Sequence, residues 1–180
     1  RFSLPEIPYT EAIGEINIFL DHTRLLFARP EDMELFLDWL AVTVFRPRER
    51  IQFTPLLIAE KHGVGRGWVA KLLERLLGPD NCKQTEMDIL AGQSNAGQYH
   101  DYLHESLIVT VHETKLDGKA HYTVDHHIRD KLTNDRFQLN LKYGRNAMYW
   151  IYCNFLLFSN HTMAMTIPQD DRRIWVVKSG

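Results

Sequence analysis

Pro55-Leu56-Leu57-Ile58-Ala59 is an unbroken apolar run, and a glycine-rich turn follows it at once, His62-Gly63-Val64-Gly65-Arg66-Gly67-Trp68-Val69. Beyond the turn, Val69, Leu72, Leu73, Leu76 and Leu77 recur at the spacing of one helix face, and Gly78-Pro79 stops the pattern. This order of strand, glycine-rich turn and helix narrows the choice of folds sharply. A helix that leaves a strand end returns across the sheet to a parallel neighbour, which makes the unit α/β.

The rest of the chain agrees. Leu107-Ile108-Val109-Thr110-Val111, Phe155-Leu156-Leu157-Phe158 and Ile174-Trp175-Val176-Val177 are further continuous apolar runs, the mark of strands covered on both faces. Pro30-Glu31-Asp32 opens a helix with apolar residues at Met33, Phe36, Leu37, Leu40 and Val44, and Arg46-Pro47-Arg48 ends it. Residues 94–105 are a second, more polar helix candidate. Helical segments alternating with strands predict a mainly parallel sheet flanked by helices. Ligands in such sheets lie beyond the carboxyl ends of the strands, where the glycine-rich turn, His112-Glu113 and Ser159-Asn160 all fall.

With 180 residues, 44% of them apolar and 24% charged, the chain is long enough for one domain with a core of its own. A net charge of −2 gives no global basic footprint, so a nucleic-acid contact has to come from a local patch or a ring of subunits. Cys82 and Cys153 are too few and too distant in sequence for a metal knuckle, and read as reduced intracellular thiols. No apolar run approaches a membrane span and no signal peptide heads the chain. A start at Arg1 and a stop just after an apolar strand suggest a piece of a longer protein. Residues 1–29 form an N-terminal segment without a readable motif, and residues 30–180 hold the expected domain.

Glycines let successive backbone N–H groups face an anion, and a helix N-terminus adds partial positive charge, so the turn is a candidate phosphate cradle. The usual pattern ends in Gly-Lys-Ser or Gly-Lys-Thr, and here those positions hold Arg66 and Gly67. Phosphoryl transfer also needs a carboxylate, a group that orients water and positive charge at the transferred phosphate. Glu113 after its strand, Asn160 at the tip of the next and Arg172-Arg173 before the last are the candidates. Each has a plainer reading, as a strand-end acid, a turn residue and a solvated Asp-Asp-Arg-Arg turn.

Nine histidines invite a metal site, and His100 and His104 are spaced to share a helix face. Yet Leu116 stands where a His-Glu-x-x-His zinc motif would need its second imidazole, so surface or partly buried rings are expected. Among the aromatics near Lys142 and Arg145, Trp150 and Phe155 are assigned to the core and Tyr143 to the surface.

Taken together, these features resemble the helicase domain of superfamily 3, in the AAA+ class, most closely that of phage and plasmid primase–helicase replication proteins. The resemblance runs from Phe36-Leu37-Asp38-Trp39-Leu40-Ala41 to the last strand and is most specific in Leu157-Phe158-Ser159-Asn160 and Asp170-Asp171-Arg172-Arg173. It implies an AAA+-like P-loop core preceded by a helical segment, acting as an ATP-driven motor on single-stranded DNA. A homo-oligomeric ring, usually a hexamer, is implied, as is a cytoplasmic place in the infected or plasmid-bearing cell. A primase or polymerase domain upstream would fit, and no membrane is involved. Residue by residue, Gly63, Val64, Gly65, Arg66, Gly67 and Trp68 fall on the nucleotide-binding loop. Glu113 falls on the catalytic acid, Asn160 on the water-positioning amide and Arg172 or Arg173 on the arginine finger. Lys142 and Tyr143 fall on a DNA-contacting hairpin, and His112 with Glu113 on the Mg²⁺ position.

Arg66 in place of lysine and His112 in place of an acid favour an alternative, a nucleotide-binding but catalytically weak assembly module that recruits replication partners. A small-substrate P-loop kinase is the other alternative. It would need a lid and an acceptor pocket that no motif here marks.

Overall fold

Every residue of two strands, β1 (Thr54–Ile58) and β6 (Asn154–Ser159), is buried, as their unbroken apolar runs require of strands in the middle of a covered sheet. The computed structural model describes residues 9–59, 65–92, 98–112, 128–160, 167 and 170–178. Their element order is α1 (Tyr9–Leu26), α2 (Pro30–Phe45), β1, α3 (Arg66–Leu77), β2 (Cys82–Glu86), α4 (Met87–Leu90), β3 (Ile108–His112), β4 (Arg136–Leu139), β5 (Ala147–Trp150), β6 and β7 (Ile174–Lys178).

Five strands form a parallel sheet in the order β2-β3-β6-β1-β7, with Leu57 level with both Phe158 and Val177. Strands β4 and β5 pair antiparallel in a separate hairpin. The crossovers explain the two-layered core. The β1-to-β2 connection runs one way along the sheet, and its helix α3 packs Val69 and Leu73 on one face with Leu57, Leu156 and Phe158. The other connections run the opposite way and cover the opposite face with Met87, Leu103, Ile128 and Leu139, against Leu56, Val109, Phe155 and Leu157. Right-handed crossovers dictate this division. Helices α1 and α2 complete the α3 face with Leu26, Phe36 and Trp39.

The polar helix expected over 94–105 differs from what forms. Residues 93–97 lie outside the described set, and 99–105 form an irregular stretch and turns, with Glu105 at φ 53°. Side chains there bind backbone elsewhere instead of supporting a helix. His100 Nδ1 accepts the Asn140 N–H at 3.1 Å, and the Asp101 carboxylate accepts the Lys142 N–H at 3.2 Å. His100 and His104 therefore share no helix face. The His104 ring lies edge-on to Tyr149, with centroids 5.1 Å apart. Among the described residues, no group of three or more His, Cys, Asp or Glu is placed to hold a metal. No helix among them is long and apolar enough to cross a membrane.

Lys131 is a buried cation on the hairpin face. It is 6% exposed, donates to the Leu90 carbonyl at the end of α4 over 2.5 Å, and burial pushes its pKa down to about 8. The unfolded chain holds this proton up to about 10.4. Below pH 8 both states are protonated and the burial penalty is fully present; between there and pH 10 the folded state sheds its proton first and stability rises with pH. Cys82 and Cys153, both raised to about 11 by burial, work in the opposite sense above pH 9. Comparing urea unfolding of wild type and Lys131→Met from pH 7 to pH 9 isolates the lysine. The variant should be more stable at pH 7, by up to about 3 kcal/mol, and the difference should narrow toward pH 9.

Candidate functional site

Strand β1 hands the chain through α3 to the far edge at β2, whereas β6 hands it past β1 to the other edge at β7. The two connections diverge, so the carboxyl ends of β1 and β6 flank a topological switch point, the place where open α/β sheets take their ligands. Ala59 N–H donates to the Ser159 carbonyl at 3.1 Å and closes the sheet just below this crevice.

Gly65 stands at the entrance to α3 with φ +89°, in the left-handed region that glycine adopts without strain. Its carbonyl accepts the Trp68 N–H at 2.9 Å, which starts the helix. The first N–H groups of α3 have no intrahelical acceptor, so its N-terminus offers donors and partial positive charge. Around Gly67 there is open space, with no described atom within 4 Å of where a Cβ would stand. Gly63 and Val64 lie outside the described residues, and Arg66 is described only as the backbone that opens α3.

Helix α1 reaches this turn from the other side. The His22 ring nitrogen lies 3.4 Å from the Gly65 carbonyl, and its ring is 4.5 Å from that of Trp68, which also stacks with Phe19 at 5.9 Å. Residues 1–29 carry no readable motif, and nothing in the sequence spacing pairs residue 22 with residue 65.

Asn160 is half-buried directly beyond β6, and His112 ends the neighbouring β3 with its ring tilted against Phe158 at 5.4 Å. These two sequence candidates, with Gly65, Gly67 and Trp68, belong to the same end of the sheet. Glu113, next after His112, lies outside the described residues.

Arg172 and Arg173 sit elsewhere. They precede β7, and the Arg173 carbonyl accepts the N–H of Thr54, the first residue of β1, at 2.8 Å. They occupy the amino end of the sheet, about 13 Å along the strand axis from the crevice. Both are exposed, but their neighbour Asp171 is not the solvated turn residue expected. The Asp171 side chain is only 4% exposed, with Oδ2 2.8 Å from Arg129 Nε and Oδ1 accepting the Arg173 N–H at 2.8 Å.

The hairpin carries the expected basic and aromatic residues. Tyr143 is 99% exposed at φ +80°, a strained conformation for a non-glycine residue, and Lys142 Nζ stands 5.4 Å over its ring. Phe155 is core as expected, but Trp150 is not: it is 59% exposed, with the Arg136 guanidinium 5.3 Å over its ring. The two are cross-strand partners. Only the β4–β5 register reveals that pairing.

A curated relative, the DNA primase-polymerase of Nitratiruptor phage NrS-1, is 26% identical over 152 residues, 82% of this chain and 20% of the relative. Two solved apo structures of the NrS-1 C-terminal region share the fold. Their TM-scores are 0.79 and 0.74 at 24% and 23% identity, and the match covers 98% of this chain and 39% and 38% of theirs. The chain thus spans about a fifth of the curated relative's length. Residues 57–173, from β1 to the arginine segment, match the family described as a family of unknown function, DUF5906, and the chain belongs to that family.

Proposed function

We propose that this chain is the ATP-hydrolysing, DNA-translocating part of a phage replication protein, working in the host cytoplasm. The observation that carries the reading is the topological switch point between β1 and β6, with Gly65 turning the chain into α3 after β1 and with Asn160 and His112 at the carboxyl ends of β6 and β3. Backbone N–H groups at the start of α3 would receive the phosphates. Glu113 would take the proton of the attacking water and Asn160 would orient it. The water oxygen then bonds to the γ-phosphorus and the bond to the β-phosphate oxygen breaks, leaving ADP and phosphate. Mg²⁺, when bound, neutralises charge on the phosphate oxygens. His112 and Glu113 would stand nearest it, the carboxylate as a hard oxygen donor and the imidazole as a softer nitrogen.

Two further observations support the oligomer and the DNA. Arg172 and Arg173 are too far from the crevice of their own subunit, so the nucleotide they can serve is a neighbour's, as in a ring. The charged and aromatic hairpin, with Lys142 and Tyr143 at its turn and Arg136 over Trp150, suits the phosphates and stacked bases of single-stranded DNA. The curated relative is a phage DNA primase-polymerase, and the matching structures are of its C-terminal region, which agrees with a replication role.

His112 packed against Phe158 favours the second reading, an assembly module that holds nucleotide without hydrolysing it. ATP hydrolysis with and without single-stranded DNA, for wild type beside Glu113→Gln, decides. Wild-type turnover should rise with DNA and fall by about 10²-fold or more in the variant. Tight nucleotide binding without turnover in either protein would support the module, and absence of binding would overturn both readings.

A further inference from the structure

The Arg129–Asp171 ion pair is a largely buried link between the arginine segment and the hairpin. Its two side chains are 14% and 4% exposed and lie far apart in sequence, so burial and chain closure both oppose it. The contact is close, although its angle falls short of a well-aligned hydrogen bond. On one side, Asp171 also fixes the Arg173 N–H, and the Arg173 carbonyl is fixed by Thr54. The backbone of the two arginines is therefore set by Asp171 and the start of β1.

On the other side, Arg129 belongs to helical residues 128–133, whose position is over-determined. Arg50 donates to the carbonyls of Lys131 at 3.0 Å, Leu132 at 2.7 Å and Asn134, a cationic cap on the helix end. Lys131 joins the same helix to α4. Directly after it, the Asp135 carbonyl accepts the Ile151 N–H at 2.8 Å, and Arg136 begins β4. From Asp171 to the base of the hairpin, each step is a hydrogen bond, an ion pair or a helix turn.

We infer that Arg129 and Asp171 are positioning residues that make the arginine segment and the hairpin move as one body, so that DNA held on the hairpin sets the aim of Arg172 and Arg173 at a neighbouring subunit's nucleotide. The inference rests on the proposed motor function. The role of the two residues is to couple one site to the other through a shared rigid element.

The test uses the full chain and three proteins: wild type, Asp171→Asn, and Asp171→Asn with Arg129→Gln. The Asp171→Asn change keeps an Oδ acceptor for the Arg173 N–H and removes the charge. Affinities for ATP and for a single-stranded oligonucleotide should stay within about twofold of wild type, while DNA-stimulated hydrolysis falls about tenfold, equivalent to ~1.4 kcal/mol. The double variant should be no worse than the single, because the link is already broken. An Asp171→Asn protein with wild-type DNA stimulation would overturn the inference alone. So would parallel losses in affinity, turnover and melting temperature, which mark a purely structural pair. A wild-type chain that binds ATP and DNA but shows no stimulated hydrolysis would instead overturn the motor reading and the inference with it.

Discussion

Replacing Gly65 by alanine is expected to abolish nucleotide binding and to destabilise the fold by about 3 kcal/mol, the sum of two separable terms. The first is backbone strain. At φ +89° an added Cβ approaches the following carbonyl, which costs an L-residue roughly 1–2 kcal/mol. The second is collision, since that Cβ would stand 2.2 Å from His22 Cε1 and 2.7 Å from its Nε2. The ring has to leave its contact with Trp68, at the ~1–3 kcal/mol typical of an overpacked site. Urea unfolding in a His22→Ala background separates the terms. There the collision is gone and the penalty of Gly65→Ala should shrink to the strain alone, whereas an equal penalty in both backgrounds would rule out the His22 contact. Nucleotide affinity should stay lost in both, because the strain alters the direction of the N–H groups at the start of α3 whatever α1 does.

The contrast between those two residues also shows what the sequence could and could not convey. The turn at Gly65 was legible because its place at the start of α3 depends on local grammar: apolar run, glycines, helix stripe. Four of the five strands of the parallel sheet were legible for the same reason, β1, β3, β6 and β7 forming where the apolar runs stand, whereas the polar edge strand β2 carries no such run. His22 was not legible, because its meaning lies in a contact across 43 positions. Trp150 reads as core only on the general habit of large rings. Its exposure follows from its place as cross-strand partner of Arg136 on the outer side of a hairpin whose inner side chains, Leu139 and Phe137, pack on the core. Asp171 looks like a solvated charge for want of any sign that Arg129 would be folded over it. Pairings at long range decide all three cases, and one sequence holds no record of them. The polar segment 98–105 departs from its pattern for a different reason: its His and Asp side chains have better partners in Asn140 and Lys142 than a helix could provide.

Asn154 makes the same point at the opposite end of β6, where its replacement by leucine is expected to cost about 2 kcal/mol. It begins a strand of otherwise almost wholly apolar residues and is itself only 3% exposed. A buried amide has to be satisfied, and this one is satisfied by the loop between α2 and β1. Its Oδ1 accepts the Ile51 N–H at 2.9 Å, and its Nδ2 donates to the Glu49 carbonyl at 3.3 Å and, over a longer 3.5 Å, to Thr43 Oγ1. Leucine fills a similar volume but takes the partner from two part-buried backbone groups, each at the ~1 kcal/mol of a lost hydrogen bond, besides the buried Thr43 hydroxyl. Thr43→Val should cost under about 1 kcal/mol, since it gives up only the longest of the three bonds. Urea midpoints of the two variants check the ranking, and a leucine variant no weaker than the valine one would refute the assignment. The stake is larger than one loop. The segment that Asn154 holds leads from α2 into β1 and carries Arg50, which caps helical residues 128–133. Loosening it should therefore also raise amide hydrogen exchange across those residues, because the cap and the bonds to Asn154 hang from the same few residues of chain.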